Sequence, residues 1–281
     1  MTEQDGIIRA LPPDRLAYYH EFVADYEYIR AAEGRGSRDK AYYLALPYRD
    51  TTRHNSAQWK VRSRSYDYLI HRIINSPASG EAVLDLGAGN CWLSYQLTRR
   101  GYRAVAVDLL TNSQDGLGAA EHYHQDLGSG IPRFQAELNH LPFQNVQFDI
   151  VIFNASFHYS EDYEITLREA LRCTKHDGFV VICDTPWYSR EQSGDQMIAE
   201  RRACFQSRFQ TASDSLKTQE FLTDDRLANL AEVLSIRWTV HRPSYGLRWA
   251  MRPWIARLRG RREPSQFRIY VARKDASYSA C

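Results

Sequence analysis

The stretch VLDLGAGNCWLSYQL, Val83 to Leu97, passes from an aliphatic run into a glycine turn and then into a helical pattern. A strand that breaks at glycines just before a helix N-terminus brings backbone N–H groups up to a ligand, as nucleotide-binding loops do. The surrounding residues narrow the ligand. A dinucleotide fingerprint starting at Gly87 and Gly89 places its third glycine at position 92, where the indole of Trp92 obstructs close helix packing. No Gly-Lys-Ser or Gly-Lys-Thr follows, which excludes a Walker loop. Asp85, at the end of the strand, repels pyrophosphate and suits an ammonium or sulfonium ligand. The loop reads as the seat of an adenosyl cofactor carrying positive charge.

Outward from the loop, short β-branched runs alternate with helical stretches. The candidate strands are 82–86, 103–109, 133–137, 148–154 and 179–184, followed later by 236–242 and 267–273. That alternation predicts an α/β fold with a doubly wound, mostly parallel sheet. Upstream, apolar residues recur every three or four positions from Asp14 to Glu33 and again from about Ser56, so residues 1–80 read as an N-terminal helical cap. The core then runs over 81–275, with a helical lid insertion at about 187–234 and a basic connection at about 243–266. Within the lid, Thr223 followed by acids marks a helix start. A length of 281 residues with 43% hydrophobic residues suits one large domain with appendages.

Asp108 closes the second strand, where an acid hydrogen-bonds ribose hydroxyls. Glu137 and the backbone beside Leu138 close the third, within reach of an adenine edge. On successive strand ends they describe one crevice at the carboxyl edge of the sheet. With VLDLGAGN, VAVDLL, AELNHLPF, FDIVIFNASFHY and HDGFVVICDTP in this order, the chain from about Ala82 to Lys274 resembles the class I S-adenosylmethionine-dependent methyltransferases, in particular the small-molecule "type 11" group. The resemblance implies a seven-stranded sheet with the last strand antiparallel, and methyl transfer from S-adenosylmethionine. It implies that Asp85, Gly87, Ala88, Gly89 and Asn90 border the methionine part, Asp108 and Leu109 the ribose, and Glu137 and Leu138 the adenine. Asn154 lies beside the methyl-transfer pocket on the same grounds. A Rossmann-like protein that binds an adenosyl group without transferring anything is the competing reading.

For chemistry, His158 is the best-placed imidazole after the fourth strand, with a pKa suited to a general base, and Tyr159 stands beside it. The alternative is a histidine that lines the pocket and moves no proton. Trp187 and Tyr188 offer an acceptor-binding wall or, equally, a cover for the sheet's end. Arg62, Arg64 and Tyr66 in the cap are candidates for the cofactor's carboxylate, against a solvated basic face with Tyr66 in the core. His122 and His124, two apart on a helix, diverge, and no metal is expected. Asn154 lacks a following Pro-Pro-Tyr or Pro-Pro-Phe, which argues against methylation of DNA adenine.

The formal charge of +2 gives no field for nucleic acid or membrane, so such a contact falls to one local segment. Residues 242–262 hold arginines interleaved with tryptophan, methionine and leucine and no acid. They read as a membrane-surface or RNA contact, or as an excursion whose tryptophans pack inward while its arginines are solvated. The five cysteines, Cys91, Cys173, Cys183, Cys204 and Cys281, show no CxxC pair, and no leader or spanning run is apparent. A cytoplasmic protein with reduced thiols is expected. Cys91 reads as a filler in place of a customary glycine, its thiol made more acidic by the helix start. The acceptor's identity and the oligomeric state have no signature in the sequence.

Overall fold

The computed structural model describes residues 1–74 and 80–274; Cys281 lies outside them. The order of elements is β1 (Thr2–Gln4), β2 (Ile7–Arg9), α1 (Pro13–Ala32), α2 (Lys40–Ala45), α3 (Ser56–Tyr68), β3 (Ala82–Leu86), α4 (Trp92–Thr98), β4 (Arg103–Asp108), α5 (His124–Leu127), β5 (Arg133–Gln135), β6 (Phe148–Asn154), α6 (Tyr163–Cys173), β7 (Thr174–Cys183), α7 (Glu191–Phe209), α8 (Asp224–Leu234), β8 (Ile236–His241), α9 (Leu247–Ala250), α10 (Arg252–Leu258) and β9 (Ile269–Lys274). A π-helical turn, Leu69–Ile73, extends α3.

The sheet order is β1-β2-β5-β4-β3-β6-β7-β9-β8. From β5 to β7 neighbouring strands are parallel, and β9 runs antiparallel to both β7 and β8. The seven expected strands are therefore present with the last reversed, and the strand count is corrected from seven to nine. The two added strands come from the supposed helical cap. An Asp-Gly turn, with φ of 54° at Asp5 and 66° at Gly6, folds residues 2–9 into a hairpin whose β2 pairs in parallel with β5.

The central strands are buried on both faces, and side-chain alternation divides the core in two. Val83, Ile150, Ile152 and Val181 face a cluster with Trp59, Tyr66 and Trp92 from α3 and α4. Leu84, Leu86, Val151, Phe153 and Ile182 face the cluster covered by α6 and α8. Both of those helices carry a side-chain N-cap. Asp162 accepts from the N–H groups of Glu164 and Ile165 at 2.8 and 3.1 Å, and Thr223 accepts from that of Arg226 at 3.2 Å. Because Leu227 and Leu230 of α8 sit in the core, the parts of 187–234 that reach the cavity at the sheet's carboxyl edge are α7 and the irregular stretch after it.

Candidate active site

The glycine loop is held by geometry that other residues do not tolerate. Gly87 and Gly89 have φ of 72° and 52°. A Cβ on Gly87 would lie 2.2 Å from Cβ of Ser156, whose Oγ donates to the Leu86 carbonyl at 2.5 Å. The loop after β3 and the crossing after β6 are thus clasped together with no room to spare. Sequence reasoning missed Ser156, although it lies inside the NASFHY segment. Cys91 has φ of 61°, so the backbone keeps the turn a glycine would take and the side chain bears the strain. Its thiol is fully buried, and burial beside the Asp85 and Asp108 carboxylates pushes its pKa well above the ordinary value. The expected acidification by the helix start is overruled by desolvation.

Around this loop opens a cavity of about 800 Å³, within the range of small-molecule sites. Asp85, Gly87, Ala88, Gly89 and Asn90 line it, as do Asp108, Leu109, Leu138 and Asn154. Asp85 is buried; Oδ2 accepts from Ser94 Oγ at 2.7 Å, while Oδ1 has no hydrogen-bond partner. Burial, reinforced by Asp108 and opposed by Ser94, raises its pKa to about 7. Asp108 spans the crevice floor, Oδ2 accepting from the Gly89 N–H and Oδ1 from the Leu110 N–H, each at 2.8 Å. Burial raises its pKa to about 6 against those two hydrogen bonds. An isolated buried carboxylate oxygen costs free energy until a donor or cation meets it.

Glu137 is the expected cofactor residue that does not line the cavity. Its carboxylate takes three hydrogen bonds from Arg15, the shortest at 2.6 Å, and one from Tyr19 at 2.9 Å. Just beyond the end of β5, Ala136 and Leu138 line the cavity while Glu137 between them turns to α1. Glu137 therefore latches the cap helix.

His158 and Tyr159 both line the cavity, their rings 4.3 Å apart. Burial, with Arg201 and Arg62 nearby, lowers the His158 pKa to about 3, so the imidazole is neutral across the physiological range. Nδ1 is buried with no partner. The near-neutral pKa expected of a base does not survive this environment. Tyr26 meets the Tyr159 ring edge-on at 5.5 Å, and Arg30 of the same helix pairs with Asp115. On the lid side, Arg201 of α7 binds Glu220 through two contacts of 2.7 and 3.0 Å. None of these pairings has a local sequence signal, since the partners come from distant segments.

Trp187 and Tyr188 leave the acceptor role. Trp187 donates from Nε1 to Asp224 at 3.0 Å under the Arg268 guanidinium, and Tyr188 packs edge-on against Phe221. Both are buried outside the cavity lining, because an extended bridge through Trp187 to Leu222 and Gln266 turns them beneath the lid. Asp184, at the end of β7, lines the cavity in their stead, with φ of 52° and Oδ2 unpartnered. Of the cap candidates, Arg62 lines the cavity, whereas Tyr66 lies in the core and accepts from Arg100 at 2.9 Å. His122 stacks on Tyr43 and His124 pairs with Glu121, so the two histidines do diverge.

Residues 84–182 match the family model described as a methyltransferase domain. A demethylmenaquinone methyltransferase of Thermobifida fusca is 36% identical over 110 residues, 38% of this chain and 44% of that protein. The chain thus spans less than half the length of the curated relatives it matches. Among solved structures, a Pyrococcus horikoshii protein aligns with 85% of this chain and all of its own, at 15% identity and a TM-score of 0.54. The 1,6-didemethyltoxoflavin-N1-methyltransferase of Burkholderia thailandensis, solved with its substrate and S-adenosylhomocysteine, aligns over 91% of this chain and 89% of its own. Its identity is 18% and its TM-score 0.52. The fold is that of the class I methyltransferases.

Proposed function

We propose that this chain, built on a class I methyltransferase domain, transfers a methyl group from S-adenosylmethionine to a small organic molecule. The observation that carries this reading is the unpartnered, buried Oδ1 of Asp85 in the cavity wall beside the glycine loop. A carboxylate there calls for a hydrogen-bond donor, and a cationic one such as an ammonium fits it best. Gly87, Ala88, Gly89 and Asn90 would hold the amino-acid end with Asp85, Asp108 the ribose, and Leu109 and Leu138 the adenine faces. Glu137 drops out of that set. Arg62, lining the cavity and half-buried, is the counter-charge for a carboxylate.

The bound cofactor supplies an electrophilic methyl group for in-line displacement. The protein's part is to hold an acceptor atom beside it in a dry pocket. Tyr26, Tyr159 and Phe22 present aromatic surface to that acceptor, and the Arg201–Glu220 pair closes the lid over it. His158 acts as a neutral hydrogen-bond acceptor that orients an acceptor O–H or N–H. The small-molecule class is supported by the enclosed cavity and by relatives that act on demethylmenaquinone and on a toxoflavin precursor. A cytoplasmic setting is supported by the buried, unpaired thiols of Cys91 and Cys183.

Calorimetry with S-adenosylmethionine and S-adenosylhomocysteine tests the site, and a labelled-methyl assay against fractionated metabolites, lipids and RNA tests the reaction. The expected result is binding that Asp85→Ala and Asp108→Ala both weaken, with label entering a small-molecule fraction. Undiminished binding by both variants overturns the site, and label entering only RNA overturns the substrate class.

A further inference from the structure

The α9–α10 segment presents two unlike faces. Trp249 and Arg252 line the cavity, the guanidinium 3.9 Å from the centre of the indole, and Phe267 stacks on Trp249 at 5.5 Å. On the other face Leu247, Met251, Trp254 and Leu258 follow at i, i+4, i+7 and i+11, the spacing of one helical stripe. In a helix packed on a core such a stripe is inside. Here the four side chains are 85%, 54%, 72% and 87% exposed. The expectation of inward tryptophans holds for Trp249 and fails for Trp254.

Arg248, Arg257, Arg259 and Arg261 are exposed beside the stripe, and residues 242–262 contain no acid. The nearby acids are engaged: Glu200 pairs with Arg262 at 2.7 Å, and Glu263 accepts from Ser189. An apolar stripe bordered by uncompensated guanidinium groups has a specific complement. Apolar side chains enter the boundary between headgroups and acyl chains while arginines meet lipid phosphates. RNA would leave Leu247, Met251 and Leu258 without a partner, since stacking asks for aromatic rings. A second copy meeting the same stripe sets four arginines against four of like charge. Among the described residues no helix is long and apolar enough to cross a membrane, which fits a segment lying in the interface.

We propose that α9–α10 docks the protein on an anionic lipid bilayer, with Leu247, Met251, Trp254 and Leu258 inserted and Arg248, Arg257, Arg259 and Arg261 on headgroup phosphates. Trp249 and Arg252 then hold the cavity's edge at the bilayer surface, within reach of an acceptor dissolved in the lipid; this consequence rests on the methyl-transfer reading, while the docking does not.

The test is flotation of the full chain, without cofactor, on vesicles of phosphatidylcholine alone and of phosphatidylcholine mixed with phosphatidylglycerol. Flotation is expected with the mixed vesicles and not with the neutral ones. Replacing Leu247, Trp254 and Leu258 together by Ser should weaken it about 100-fold or more. Arg257→Gln, Arg259→Gln and Arg261→Gln should each weaken it about fivefold and flatten its dependence on salt. All of these side chains are exposed, so thermal melting should be unchanged and report that the variants fold. Absent flotation, flotation indifferent to the apolar replacements, or polyuridylate binding in place of vesicle binding overturns the proposal. So does a doubled mass in light scattering that the Ser variant returns to monomer. None of these measurements reads methyl transfer, so either proposal can fall without the other.

Discussion

The floor and the roof of the cavity are built by opposite means. The floor is a row of strand ends and their turns, with Asp85 and Asp184 buried, Asp108 half-buried, and all three fixed by hydrogen bonds from Ser94, from backbone N–H groups and from Ser65. The roof is assembled by side chains reaching across long stretches of sequence, Arg30 to Asp115 and Arg201 to Glu220. A floor of that kind is preorganised for one ligand, since its groups cannot turn away from it. Ion pairs between side chains of separate segments can be reset, which suits the side that must admit and release an acceptor.

The contrast is broken most severely at Gly87. Alanine there puts a Cβ against Ser156 at a positive φ, and a loss of about 3 kcal/mol or more in chemical denaturation is expected, together with cofactor binding. Adding Ser156→Gly should recover part of the stability, because it removes the clash and leaves the backbone strain and the loss of the hydrogen bond to Leu86.

Next in size is the charge at Asp85. Asp85→Asn should weaken S-adenosylmethionine binding about 10- to 100-fold in calorimetry. A cationic ligand requires the ionised carboxylate, so affinity in the wild type should rise from pH 6 to pH 8, through the pKa of about 7, with release of a proton. The Asn variant should show neither the rise nor the proton. In the ligand-free protein the sign is reversed. Asp85, Asp108 and Asp184 hold protons more tightly folded than unfolded, their pKa values raised by burial from the ordinary 3.8 to about 7, 6 and 6. Their contribution to stability is full below pH 4 and is lost as pH rises through 6 to 7.

Roof variants should separate turnover from cofactor capture. Glu220→Gln is expected to raise the KM for the acceptor about tenfold while the cofactor Kd stays within about twofold. His158→Ala should lower kcat about tenfold with the same unchanged Kd, and His158→Asn should restore part of it. With the imidazole already neutral above pH 3, the kcat profile between pH 6 and 8 should carry no step that the His158 variants remove. Smallest of all is Cys91→Gly. Relief at φ of 61° is offset by lost packing and by a freer unfolded chain, and the change in stability should be under about 1 kcal/mol.

The floor was legible in the sequence because its causes are local. Aliphatic runs gave β3 and β6 with their observed bounds, 82–86 and 148–154. Glycine spacing and the acids at strand ends gave the loop and its neighbours. Glu137 escaped because β5 ends at Gln135, and the path of the irregular chain after it decides which of 136, 137 and 138 faces in. The hairpin had a signal, Asp5-Gly6, that an assignment of the whole N-terminus to helices passed over. The roof was not legible. Arg201 meets Glu220, and Trp187 turns beneath the lid, only through the packing of α7 and its following loop. The lowered pKa of His158 is likewise a product of enclosure, which no spacing of residues states.

The pairing of β2 with β5 makes the seating of the roof a long-range event. Ile8 lies beside Phe134 and Arg9 beside Gln135, and Arg15 closes on Glu137 just after them. More than a hundred residues separate the partners in each of these contacts, so closing them costs more chain entropy than pairing near neighbours such as β3 and β4. The helix that bears Tyr26 and Arg30 over the cavity is held to the sheet by contacts of this expensive kind, and weakening any one of them should loosen the roof while leaving the floor intact.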